Sequence, residues 1–286
     1  MATMHPPLED RVLAAPARRP VQTHRLPSHT VEVVSDPGEG AQKCGQIFGT
    51  VSAKMGNGVW TVEIIPAEIQ PPARDPAGAS GNRIRVGTDA VTNWGDETNL
   101  VVAFNEQVLL GRHRLGALAE DAVVLLENKW ATDDDPAIRA AWSAALADLA
   151  GTAYRIVEVP MEAECLQVVD DAKKGKNMFA LGLLCYVYQR DLERAKEQIA
   201  QTFRKKSEEV YQKNVALLER GHAWGEQHLD FRVEVPARPS GQPMVVMNGN
   251  QAAALGAVAA GMELTAMYPI TPATSVSHFL SDIFES

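Results

Sequence analysis

The sequence holds three cysteines, Cys44, Cys165 and Cys185, and no two of them stand in a C-x-x-C spacing. An odd number of scattered thiols suggests the reduced thiols of a cytoplasmic protein rather than a disulfide framework. It also excludes an iron–sulfur cluster built by this chain alone, which needs four thiolates. No apolar run reaches the ~18 residues of a membrane span, so no membrane partner is expected. There is no excess of basic residues either. A formal net charge of -9 argues against a surface that tracks nucleic-acid phosphates.

Residues 1–28 lack the apolar segment of a secretory signal. They carry Pro6, Pro7, Pro16, Pro20 and Pro27 among four arginines, and are expected to be a disordered tail. What remains has the 45% hydrophobic and 22% charged content of an ordinary globular protein. Its 286 residues leave room for about two domains at ~150 residues each.

The first domain is predicted over residues 29–221. Val31–Val34 reads as a strand, followed by the Gly38-Glu39-Gly40 turn and a helix to about Lys54. Further strands are predicted at 60–65, 83–86, 100–104, 122–126 and 154–159. The runs at 100–104 and 122–126 are near-continuously apolar, as in strands buried on both faces. Helix-like segments at 106–119 and 136–150 alternate with them, so the fold class is α/β, a Rossmann-like, mostly parallel sheet between helices. An apolar helix over 177–189 follows, then two more polar ones over 191–203 and 207–220. Leu192, Ile199, Phe203, Val210, Val215 and Leu218 form their buried stripe, and Gly221 is the expected helix stop.

Residues 222–243 read as a linker, broken by glycine and proline. A second unit starts at 244. Asn250 is placed to cap a helix over 251–260 that stops at Gly261, and Leu264–Tyr268 is predicted to be a short strand. A last helix carries Val276, Phe279, Leu280, Ile283 and Phe284 on one stripe. These few elements cannot enclose a core, so residues 244–286 are expected to be the opening of a larger domain.

Two motifs invite chemistry. Glycines between a strand and a helix let an anion approach backbone N–H groups. Lys43, however, stands where the dinucleotide fingerprint wants a third glycine or alanine, which disfavours a free-standing nucleotide binder. The second motif is Tyr268-Pro269-Ile270-Thr271-Pro272. Thr271 suits an N-cap and Pro272 the first helical position, which places a hydroxyl and a positive helix end at one spot suited to a carboxylate.

Tyr268-Pro269-Ile270-Thr271-Pro272 resembles the Y-P-I-T-P signature of the 2-oxoacid:ferredoxin oxidoreductase family. Gly249-Asn250-Gln251-Ala252-Ala253-Ala254-Leu255-Gly256 is similar to its G-N-E-A-x-A-L-G helix. Ser35-Asp36-Pro37-Gly38-Glu39-Gly40-Ala41-Gln42 is similar to the G-D-S-G-D-G-x-Q turn of its gamma domain. Residues 65–70 with 77–81 resemble F-P-A-E-I-R … A-G-V-S-G, and residues 176–182 resemble K-N-x-x-A-L-G. The order, a gamma domain and then the start of the pyrimidine-binding domain, resembles the alpha subunit of 2-oxoglutarate-type enzymes. Pro37, Glu39 and Gln251 depart from the family residues, which weakens the anion-binding role of the glycine turn.

The resemblance implies thiamine diphosphate shared with a beta subunit. Magnesium and an iron–sulfur cluster are then expected on that partner, with no metal held here, and coenzyme A as co-substrate. It implies a hetero-oligomer that passes electrons to ferredoxin. Thr271 is the implied catalytic residue, with Tyr268, Pro269, Ile270 and Pro272 against the cofactor and Gly38 and Gly40 on the coenzyme A side. A neutral hydroxyl suits the substrate carboxylate, because a cation would stabilise the charged ground state more than the charge-dispersed transition state. The competing view makes residues 30–220 a non-catalytic docking module.

Overall fold

The computed structural model describes residues 20–68, 71–268, 270 and 273–284. The chain divides into two compact units, one up to Ala237 and one from Arg238.

In the first unit the described elements run β1 (Gln22–Arg25), β2 (Ser28–Ser35), α1 (Ala41–Lys54), β3 (Gly58–Ile64), β4 (Ser80–Gly87) and β5 (Thr98–Ala103). They continue as α2 (Glu106–Arg114), β6 (Leu118–Glu127), α3 (Pro136–Leu149), β7 (Arg155–Val159) and α4 (Met161–Cys165). The unit closes with α5 (Lys176–Val187), α6 (Leu192–Thr202), α7 (Glu208–His228) and β8 (Phe231–Glu234).

Six strands form one sheet in the order β3-β4-β2-β5-β6-β7. Its four-strand body, β2 to β7, is parallel, while β4 runs antiparallel to both β2 and β3. The apolar runs are buried on both faces, as their composition predicts. Leu100 and Val102 point into one core with Phe48 of α1 and with α5, and Val101 and Ala103 into the other with Leu109 of α2 and Trp142 of α3. Helix starts follow local chemistry: Asn105, Asp135, Asp191 and Ser207 each accept a first-turn N–H with the side chain.

Several expectations change. Residues 22–25 are a strand rather than tail, because β1 pairs in parallel with β8 from the expected linker. Gly221 does not stop a helix. It lies inside α7, where a Cβ would come 2.0 Å from Phe179 O of α5, so its value is close helix approach. The reciprocal contact is Gly182, whose Cβ would meet Leu218 O at 2.1 Å. α2 ends at Arg114 because Leu118 and Ala119 already belong to β6. Val210 is exposed, since the buried stripe of α7 passes through Asn214, Leu217, Leu218 and Gly221 instead.

The second unit contains α8 (Gly249–Ala259) and α9 (Thr274–Phe284). Asn248, not Asn250, caps α8, in a reciprocal capping box with Gln251. Residues 264–268 form no strand, having no ladder partner among the described residues. Phe284 is exposed while Leu280 is buried.

Candidate functional site

After β2 the chain crosses to one face of the sheet as α1, and after β5 it crosses to the other as α2. The carboxyl ends of these neighbouring parallel strands therefore flank a topological switch point, where α/β proteins form their crevice. The predicted glycine turn sits there. Gly38 and Gly40 take φ of 88° and 85°, a left-handed conformation open to glycine at little cost. A Cβ on Gly40 would meet the Asn177 amide at 2.5 Å, whereas Gly38 faces open space. Gly40 starts α1 with no side-chain cap.

Charged side chains close the floor of this crevice. Lys176 Nζ donates to Glu39 Oε1 at 2.7 Å and lies 5.4 Å from the Phe104 ring centre. The Asp36 carboxylate accepts Arg74 N with both oxygens at 3.0 Å. The Arg74 guanidinium pairs with Glu106 and stacks over Trp130, whose Nε1 donates to Phe104 O. Glu127, at the end of β6, accepts from Lys129 N at 3.0 Å and Glu162 N at 2.7 Å. Burial pushes its carboxyl up to about 7, against the pull of those N–H groups and of Lys176.

Four buried polar atoms here have no hydrogen-bond partner among the described residues: Glu39 Oε2, Glu106 Oε2, Asn105 Nδ2 and Arg74 Nε. Unmet donors and acceptors together are costly unless water or a ligand meets them. The balance of charge, however, is acidic: Asp36, Glu39 and Glu106 outnumber Lys176 and Arg74 even with Glu127 set aside, and both cations are already paired. The crevice is suited to a hydrogen-bonding neutral group better than to a bare anion. Sequence reading pointed to Gly38 and Gly40 and missed the charged floor. The resemblances over residues 35–42 and 176–182 contained Asp36, Glu39 and Lys176 without showing that Glu39 and Lys176 pair.

The second group of predicted residues is less completely described. Pro269, Thr271 and Pro272 lie outside the described residues. Tyr268 and Ile270 are 80% and 60% exposed. Ile270 N donates to Tyr268 O, and Thr274 N donates back to Ile270 O, leading into α9. Residues 262–267 and α9 flank an open groove of about 410 Å³ lined by Met262, Leu264, Met267, Leu280 and Phe284. Among the described residues no cluster of three metal-ligating side chains occurs, and no helix is long and apolar enough to cross a membrane.

A mostly parallel sheet between helices, with a glycine turn at its switch point, places the first unit among the α/β ligand-binding folds. Residues 32–224 match the pyruvate ferredoxin/flavodoxin oxidoreductase family, and the chain belongs to it. The chain is 31% identical over 284 aligned positions to 2-oxoglutarate oxidoreductase subunit KorA of Mycobacterium tuberculosis, covering 94% of this chain and 42% of that one. Among solved structures it is similar to a 2-oxoglutarate:ferredoxin oxidoreductase from Magnetococcus marinus with 2-oxoglutarate, coenzyme A and succinyl-CoA bound. That likeness has a TM-score of 0.70 at 23% identity and covers 91% of this chain and 42% of that one, which shows the fold. The chain spans less than half the length of either relative.

Proposed function

We propose that this chain is part of the alpha subunit of a 2-oxoglutarate:ferredoxin oxidoreductase. In that reaction a 2-oxoacid and coenzyme A give an acyl-CoA and carbon dioxide, and two electrons leave to ferredoxin through a beta subunit. The observation that carries the reading is the similarity to the KorA subunit over 94% of this chain, which spans both units in one order. Three free, buried cysteines support a cytoplasmic setting.

Thiamine diphosphate, shared with the beta subunit, would supply the carbon nucleophile and the electron sink for decarboxylation. This chain would contribute the Thr271 hydroxyl to hold the substrate carboxylate. Tyr268, Pro269, Ile270 and Pro272 would form a wall beside the cofactor, excluding water. The exposed apolar side chain of Ile270 supports that use. Gly38 and Gly40 would lie on the coenzyme A side, where the unmet atoms of Glu39, Asn105 and Glu106 suit the amides of the pantetheine arm better than the phosphates of the coenzyme's nucleotide.

The second reading keeps residues 30–220 as a docking module only. It is favoured by one observation, the commitment of Lys176 to Glu39 rather than to the open side. The test is a complete alpha chain carrying this sequence, assembled with its beta subunit and assayed for coenzyme A-dependent viologen reduction with 2-oxoglutarate. Gly38→Asp adds a negative charge on the open side, and aspartate tolerates the left-handed conformation better than most residues. A raised KM for coenzyme A with an unchanged KM for 2-oxoglutarate supports the first reading. Impaired assembly with both KM values unchanged supports docking. Absence of activity with every 2-oxoacid in a properly assembled complex rejects the enzyme reading.

A further inference from the structure

Asn57 lies outside the crevice, in the turn that joins α1 to β3. It is buried, and its own N–H donates to Ser52 O. Its side-chain Nδ2 faces three carbonyls on two different segments: Gly87 O at the end of β4 at 3.2 Å, Val235 O at 3.1 Å and Pro236 O at 3.2 Å. Its Oδ1 accepts from Arg190 Nη1 at 2.5 Å. A guanidinium only donates and a carbonyl only accepts, so this arrangement leaves the amide one orientation. Arg190 is buried too. It is held by its own Nε donating to Tyr188 O at 2.7 Å and its N–H donating to Cys185 O at 2.8 Å.

Val235 and Pro236 are the residues next to Ala237, the boundary of the first unit. They continue β8, a four-residue strand whose ladder partner among the described residues is the four-residue β1. At its start this strap is held by Tyr186 Oη donating to Leu229 O and by the Arg155–Asp230 pair. A two-stranded ribbon this short is marginal by itself. Its far end is packed by the buried Val235 side chain and joined by Leu26 N donating to Glu234 O, and past the ladder the backbone carbonyls of Val235 and Pro236 meet the Asn57 amide.

We propose that Asn57, oriented by Arg190, is the pin that holds the β8 strap to the body and fixes the point at which the chain leaves the first unit. The idea is independent of the enzyme assignment, because it concerns only contacts inside that unit. Replacing the amide by a carboxylate in Asn57→Asp removes the donor and sets oxygen against three carbonyls. Arg190→Met leaves the amide in place and removes what orients it.

The test uses the full chain, with hydrogen exchange resolved by segment and limited trypsin cleavage after Arg232. Asn57→Asp should speed exchange over 231–236 and cleavage after Arg232 by about tenfold or more, the scale of one lost buried hydrogen bond. Strands β5 and β6 should stay as protected as in the parent, and Arg190→Met should act in the same direction to a smaller extent. Unchanged strap exchange in a folded Asn57→Asp chain overturns the proposal, as does an equal rise over β5 and β6. If that variant does not fold, the parent decides. Its Asn57 side-chain amide protons should be protected from exchange as strongly as the strap backbone, and unprotected amide protons would overturn the pin.

Discussion

Lys176, at the first turn of α5, donates to Glu39 of the glycine turn across 2.7 Å, with side-chain exposures of 1% and 9%. The ends of two elements far apart in sequence are thereby tied at the floor of the crevice. Such a pair is weak support for net stability, because desolvation offsets attraction, but breaking it leaves an uncompensated buried charge. Lys176→Met should therefore lower unfolding free energy by about 3–5 kcal/mol, read from urea midpoints. The double variant with Glu39→Gln should regain most of it. If the double variant is no more stable than Lys176→Met alone, the loss comes from packing and not from the orphaned carboxylate.

The α5–α7 contact is set by two glycines. Gly221→Ala puts a methyl 2.0 Å from Phe179 O, so the helices must separate. A cost of about 1–3 kcal/mol is expected, typical of overpacking, seen as a lower Tm. A Cβ on Gly151 would meet nothing within 4 Å, so Gly151→Ala should be neutral. Equal melting of the parent and both variants would mean that α7 can shift without loss.

Buried Glu127 and half-buried His29 titrate abnormally, and their effects on stability run in opposite directions. Burial raises Glu127 to about 7, so the folded state favours its protonated form, and this contribution is lost as pH rises from the ordinary carboxyl range to about 7. Burial lowers His29, hydrogen-bonded to Tyr188, to about 4. Folding then excludes its protonated form, and stability is lost as pH falls from the ordinary imidazole range toward 4. Between pH 5 and 7, Glu127→Gln should make stability rise more steeply with pH, and His29→Asn should make it rise less. Ring titration of His29 followed by NMR checks the second case directly, and a midpoint near 6.5 would refute it.

Thr271 is the residue on which the proposed chemistry depends. In a complete enzyme, Thr271→Val keeps shape and removes the hydroxyl. Loss of a hydrogen bond to a charged group costs roughly 1.5–3 kcal/mol, so kcat/KM should fall on the order of tenfold to a hundredfold. Thr271→Ser keeps the hydroxyl and should recover most of the activity. Parent-like kcat/KM in the valine variant, with thiamine diphosphate still bound, would remove Thr271 from the proposed site.

Strands β2, β5, β6 and β7 and the helices α1, α3 and α5 were legible in the sequence. Their signals are local: unbroken apolar runs in the strands and in α5, and their alternation with helix-like segments. The glycine turn was legible for the same reason, since a left-handed conformation demands a residue type. Contacts between distant segments carry no such local mark. The pairing of β1 with β8 joins two exposed-looking stretches across the length of the first unit, and Gly221 looks like a helix stop until α5 lies against it. The burial of Glu39, Glu106, Glu127 and Lys176 carries no mark either, because a charged residue in sequence does not reveal whether water or another side chain will solvate it. Local propensity and patterning thus determined the elements and the turn. Only tertiary packing decided which charges were buried, which of them paired, and which glycine was a spacer.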